Sequence, residues 1–274
     1  MASPNAYTPG GSSGARLATR PLLMSGKIWY VCNASTANGL DDVGTAGQQR
    51  KRPLITTAQA ITNASAGDTI QYLAGHVETV TVTIAANKAG LHFISEGTAA
   101  TRAVLTTASA IPVMTISASG VWVENITFTL THASASCILT SGALTGLQHI
   151  DCSFTATLAN AVLVSWASAI TGGRLKGCAF AANGTSTSTI PAVGWLIGAV
   201  CVDTEVDTCT FSGGPDASYL GWTSYALRAT SAVTRFTMID CDFLNDSDMQ
   251  LATGSIYKIH RRNTSGSALA ELTA

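Results

Sequence analysis

The chain has 274 residues, with 15 Lys+Arg against 16 Asp+Glu, a net charge of −1 and only 11% charged residues, where a typical soluble domain carries about 25%. Its 46% hydrophobic residues and pI near 6.5 exclude disorder through low hydrophobicity and a uniformly basic nucleic-acid binder. Every long apolar run is interrupted by Ser, Thr or Gly, so no transmembrane helix is predicted. A surface this poor in charge points to a chain covered by itself or by partners.

Residues 1–27 are rich in Gly, Ser, Ala and Pro and show no apolar periodicity. They read as an extended N-terminal arm, with no apolar core of a secretory signal. Charge is uneven along the chain. Residues 1–52 carry Arg16, Arg20, Lys27, Arg50, Lys51 and Arg52 against Asp41 and Asp42, whereas the remainder is acidic. This basic segment is the expected docking element.

Residues 28–66 form the next unit. Ile28–Asn33 has a strand pattern, a polar loop follows through Arg52, and Pro53–Ala64 is predicted to be a short helix stopped by Gly67. Beyond Gly67 the pattern changes to short Val-, Ile- and Thr-rich runs closed by Gly, Asn or Ser. Strands are predicted over Thr69–Leu73, Val80–Ile84, Leu91–Ile94, Val113–Ile116 and Val121–Phe128.

An internal repeat organises residues 67–264. Val123–Phe128, His149–Phe154, Leu175–Phe180, Val206–Phe211 and Met238–Phe243 align as hexapeptides, their phenylalanines spaced 26, 26, 31 and 32 residues apart. A degenerate copy falls at Ile259–Thr264, and residues 265–274 form a C-terminal tail. Several short strands per period, with no helix between them, fit one coil of a parallel β-solenoid. The third position (Asn125, Asp151, Gly177, Thr208, Asp240) is where the coil must bend, because Asn, Asp and Gly tolerate a left-handed backbone. Positions four and six then share the inward face. They build a ladder of Phe128, Phe154, Phe180, Phe211 and Phe243 beside a column of Ile126, Cys152, Cys178, Cys209 and Cys241.

None of the seven cysteines forms a CxxC pair, so a zinc ribbon or redox motif is not supported. In-register stacking makes neighbouring Cβ vectors parallel rather than convergent, which favours free core thiols over disulfides. Among Cys32, Cys137 and Cys201, outside the column, Cys32 is the candidate for a bond to another chain because it lies beside the basic segment.

The helix of Pro53–Ala64, then Gly67-Asp68-Thr69-Ile70, Gly75-His76-Val77-Glu78 and Val80–Ile84, resembles the opening of right-handed parallel β-helix proteins of the pectate-lyase-like superfamily. The strand and polar loop before it are similar to the start of many phage-encoded members. The resemblance implies an all-β, right-handed single-stranded parallel β-helix with a short N-terminal capping helix. It leaves function open, because this fold hosts lyases, hydrolases, adhesins, tailspikes and capsid decoration proteins.

Chemistry on such a solenoid needs paired carboxylates across coils, or a calcium cluster with a nearby base. Asp203-Thr204-Glu205-Val206-Asp207 is the best cluster, with Arg174 and Lys176 one coil below. No second acid pair accompanies it, and the reading is a solvated turn with a Lys176–Asp207 ion pair. Asp240, Asp242, Asp246 and Asp248 lack calcium-loop spacing. The histidines 76, 92, 132, 149 and 260 are scattered, and His149 reads as a hydrogen-bonded core residue. Trp29, Trp122, Trp166, Trp195 and Trp222 read as packing or subunit contacts. No catalytic, cofactor or metal residues are assigned, and no enzyme is expected.

The expectation is a structural phage protein made in the host cytoplasm: a homotrimeric capsid decoration protein on the outer shell. Its partner would be the major capsid protein, with no direct nucleic-acid or membrane contact. Insertions around Thr185–Pro191 and Gly213–Trp222 would add subunit or shell contacts. The alternative is a tail-associated receptor-binding or glycan-degrading β-helix protein. A secreted carbohydrate-active enzyme or adhesin ranks last.

Overall fold

A computed structural model describes residues 26–33, 47–133, 135–156, 161–182, 191–213, 222, 224–244 and 249–261, the side chains of His260 and Arg261 excepted. The chain is a parallel β-helix preceded by one short helix. A lead-in strand, β1 (Ile28–Val31), pairs with the first coil. Helix α1 is shorter than the sequence pattern, Thr57–Asn63, with Thr56 as its N-cap and the Thr56 hydroxyl accepting from the Gln59 N–H.

The first coil runs through β2 (Thr69–Tyr72), β3 (Val77–Val80) and β4 (Ile84–Ala86). The second runs through β5 (His92–Ser95), β6 (Val104–Thr107) and β7 (Met114–Ile116). The third adds a short fourth strand: β8 (Trp122–Glu124), β9 (Thr127–Leu130), β10 (Ser136–Thr140) and β11 (Leu144–Thr145). The fourth repeats it with β12 (Gln148–Ile150), β13 (Ser153–Ala156), β14 (Val162–Trp166) and β15 (Ile170–Thr171). The fifth comprises β16 (Arg174–Lys176), β17 (Ala179–Ala182), β18 (Val193–Ile197) and β19 (Cys201–Val202). The sixth comprises β20 (Glu205–Asp207), β21 (Thr210–Ser212) and β22 (Tyr225–Ala229). The long β23 (Val233–Leu244) opens the seventh coil, followed by β24 (Met249–Gln250), and β25 (Ile256–Arg261) closes the described stack.

Equivalent strands lie directly over one another in parallel register. The first sheet stacks β2, β5, β8, β12, β16, β20 and β23, the second stacks β3, β6, β9, β13, β17 and β21 on β23, and the third runs from β4 to β24. Two expected strands are broken. Val80 ends one strand and Ile84 begins another, with a bend between them. Val121–Phe128 is split because Asn125 adopts a φ of 55°. The same corner recurs at Asp151 (52°), Gly177 (62°), Thr208 (53°) and Asp240 (48°). Each corner turns the chain from the first sheet into the second.

The core is built of columns, one residue per coil. Phe128, Phe154, Phe180, Phe211 and Phe243 stack in register, with successive ring centroids 5.3, 5.0, 4.7 and 4.7 Å apart. Beside them stand Ile126, Cys152, Cys178, Cys209 and Cys241, all buried. Every cysteine, including Cys32, Cys137 and Cys201, is a free, buried thiol. The thiols keep weak partners in backbone carbonyls, as from Cys152 to Val123 and from Cys178 to His149, both 3.4 Å.

Both columns end in polar groups where α1 covers the first coil. Below Phe128 come Leu105 and then Glu78. Below Ile126 come Ala103 and then His76. Glu78 accepts from the Thr57 N–H and hydroxyl and lies 3.2 Å from His76 Nε2. This half-buried carboxylate therefore serves the helix start, whose N–H groups have no intrahelical partner. Asp68 ties down the lead-in strand, accepting from the Lys27 and Ser65 N–H groups and the Trp29 indole at 2.7, 2.8 and 3.0 Å. Burial works to raise its pKa, yet these donors hold the carboxyl below its ordinary value.

Candidate functional site

On the outward face of the first sheet, register places His92 below Trp122 and Ile94 below Glu124. Glu124 reaches diagonally to the coil beneath, its Oε2 3.2 Å from His92 Nε2. A carboxylate only accepts, so Nε2 carries the proton in this bond. Among the described residues, Nδ1 has no hydrogen-bond partner. The Trp122 ring, half-buried, meets His92 edge-on with centroids 5.6 Å apart. His92, Glu124 and Glu96 are nearly covered, at 5%, 6% and 8% exposure.

The neighbouring carboxylate is already neutralised. Glu96 takes a bidentate ion pair from Arg50 and a bond from the Gln71 amide. Asn125, at its left-handed corner, donates to the Ser95 and Gly97 carbonyls at 2.9 and 3.1 Å and locks the loop that carries Glu96. Arg102 spans two coils to donate to the Asp151 carbonyl at 2.9 Å. The result is a charged patch on the first sheet in which Glu96 is paired with Arg50 and Glu124 is bonded to His92.

The acids singled out by sequence fare differently. Glu205 pairs with Arg174 at 2.9 Å, Asp207 with Lys176 at 3.2 Å and Asp203 with Arg235 at 2.7 Å. The Arg235 guanidinium holds the Asp203 carboxyl below its ordinary value. These are cross-coil ion pairs on a wet surface, where solvent screening leaves them little net stabilisation. Among the described residues, no three His, Cys, Asp or Glu side chains are grouped to hold a metal ion. No helix among the described residues is long and apolar enough to cross a membrane.

Of the proposed docking residues, Arg16 and Arg20 lie outside the described residues, as do Asp246, Asp248 and most of both insertions. Lys27 is held through its backbone by Asp68. Arg50 belongs to the Glu96 patch, while Lys51 and Arg52 are exposed. Cys32 is buried at 2% exposure. His149 is buried as expected of a core residue, but neither ring nitrogen has a hydrogen-bond partner among the described residues. His92, Trp122 and Glu124 were each legible as residues but not as a group, because they come from positions the hexapeptide repeat leaves unconstrained.

No protein-family model matches the chain, and no curated protein does. Among solved structures it is similar to a pectate lyase, Pel9A, at 11% identity and TM-score 0.49, covering 90% of this chain and 78% of that one. It is also similar to a rhamnogalacturonan lyase at 10% identity and TM-score 0.46, covering 81% and 75%. A third is an alginate lyase from Paenibacillus sp. str. FPU-7, at 13% identity and TM-score 0.43, covering 78% and 94%. The parallel β-helix is the common ground. All three neighbours are named as polysaccharide lyases, against which the expectation of a chain without enzymatic activity does not stand as written.

Proposed function

We propose that this chain is a glycan-degrading β-helix protein that lays a polysaccharide along the outward face of its first sheet, with His92 and Glu124 performing proton transfer. The single observation that carries this reading is the His92–Glu124 bond beside the half-buried Trp122. Glu124 orients the imidazole and stabilises the imidazolium formed when Nδ1 takes the proton from the carbon beside a uronate carboxylate. The C–H electron pair becomes the ring double bond as the C–O bond to the leaving sugar breaks, and that oxygen takes up a proton from water. Trp122 supplies an aromatic surface for the apolar face of a pyranose. Nδ1 is itself buried, so a sugar reaches it only when this face of the first sheet opens.

The test is incubation of the full chain with pectate, rhamnogalacturonan, alginate and bacterial capsular polysaccharides, reading new reducing ends and the ultraviolet absorbance of unsaturated products. Cleavage of one polymer, lost in His92→Gln and Glu124→Gln, supports the reading. Intact polymers throughout overturn it.

A second reading, a phage shell protein docked through residues 1–52, rests on the excess of basic over acidic residues in that segment. Counting this chain against the shell protein in purified particles separates the two.

A further inference from the structure

The core of the fourth to sixth coils contains polar atoms that the protein does not satisfy. Nδ1 and Nε2 of His149, the indole Nε1 atoms of Trp166 and Trp195, and Oγ1 of Thr204 are all buried and have no hydrogen-bond partner among the described residues. Buried polar groups are paired in the great majority of native structures. Five unpaired atoms within three consecutive coils call for a shared cause.

Their placement is coherent. The column that opens the first sheet reads Leu91, Val121, Leu147, Gly173, Thr204 and Phe236 from bottom to top. Two small residues thus interrupt a file of large apolar ones. From the opposite sheet, Trp166 extends its ring into the space at Gly173, where an added Cβ would lie 2.6 Å from the ring edge. Trp195 leans instead towards Phe236, with centroids 6.1 Å apart, and meets Trp166 edge-on at 4.8 Å. Thr204 sits in the column between the levels of these two contacts. His149 faces Trp166 from the first sheet at 6.3 Å.

We propose that ordered water occupies the core between His149, Trp166, Trp195 and Thr204, bridging their polar atoms. An indole N–H only donates, whereas a neutral imidazole and a hydroxyl each donate and accept. The set is therefore rich in donors and needs a small guest with lone pairs and protons of its own. Water meets that need, and a buried water typically makes about three hydrogen bonds to groups otherwise unsatisfied. Burial also holds the His149 imidazole down to about 3, so it is neutral and matches a neutral guest. This inference is independent of the glycan reading.

The experiment is solution NMR on the full chain, reading magnetisation transfer from long-lived water to the indole N–H protons of Trp166 and Trp195. The expected result is water contact at both indoles in the unmodified chain. In folded His149→Leu, and in Thr204→Val as a second variant, the contact falls by at least about half as bridging partners are lost. Indole protons of the unmodified chain that show no water contact overturn the proposal. So does contact of unchanged intensity in both variants.

Discussion

Glu124 binds His92 across one coil, Oε2 to Nε2 at 3.2 Å, although strand register sets Glu124 above Ile94 and Trp122 above His92. The diagonal leaves the imidazole fixed by one nitrogen and without a partner among the described residues at the other. Replacing Glu124 with Gln keeps the shape and removes the charge that stabilises the imidazolium. We expect kcat on a cleaved polymer to fall about 100-fold or more, with KM little changed.

The phenylalanine ladder is the mechanical spine of the core. Phe180 stacks on Phe154 and Phe211 at 5.0 and 4.7 Å and is fully buried. Phe180→Ala should cost about 3–5 kcal/mol through the cavity left between two rings. Urea unfolding measures it directly, and an unchanged midpoint would contradict the inward assignment.

Gly173 makes room for Trp166. A methyl group there would lie 2.6 Å from the ring, and the indole is walled in by Trp195 and His149. Gly173→Ala should destabilise the chain by about 1–3 kcal/mol through overpacking, read as a lower melting temperature. Gly75 and Gly142, whose added Cβ would meet nothing within 4 Å, differ in kind: there any cost comes from their positive φ.

Stability should weaken in acid partly through His149. In the folded chain burial keeps this imidazole neutral down to about 3, against an ordinary value of 6.5. Above pH 6.5 neither state is protonated and the group makes no difference. Below it the unfolded chain binds the proton and the folded chain does not, so stability drops steadily until about pH 3. The full loss is on the order of 5 kcal/mol. His149→Leu, matching Leu175 one coil above, should flatten the acid side of a melting-temperature profile.

Much of the architecture was written in the repeat. The corner residues Asn125, Asp151, Thr208 and Asp240 all adopt positive φ, and the residues one and three places after each are buried. Those positions are legible because every coil imposes the same requirement on them. The outward face imposes none. Its chemistry depends on which side chains meet across coils, and Asp203, Glu205 and Asp207, adjacent in sequence, turn out to be committed to Arg235, Arg174 and Lys176. His92 and Glu124 are separated by thirty-two residues and become a pair only through register. The polar ends of the core columns, His76 and Glu78, were hidden for a related reason: they answer to the start of α1 rather than to the repeat.

The most direct test of the glycan reading is product formation by the purified full chain on a panel of polysaccharides, run beside Glu124→Gln at matched melting temperature. The account predicts that the unmodified chain shortens at least one polymer and that the variant is at least about 100-fold slower. Polymers left intact by the unmodified chain, or a variant as fast as its parent, would contradict it.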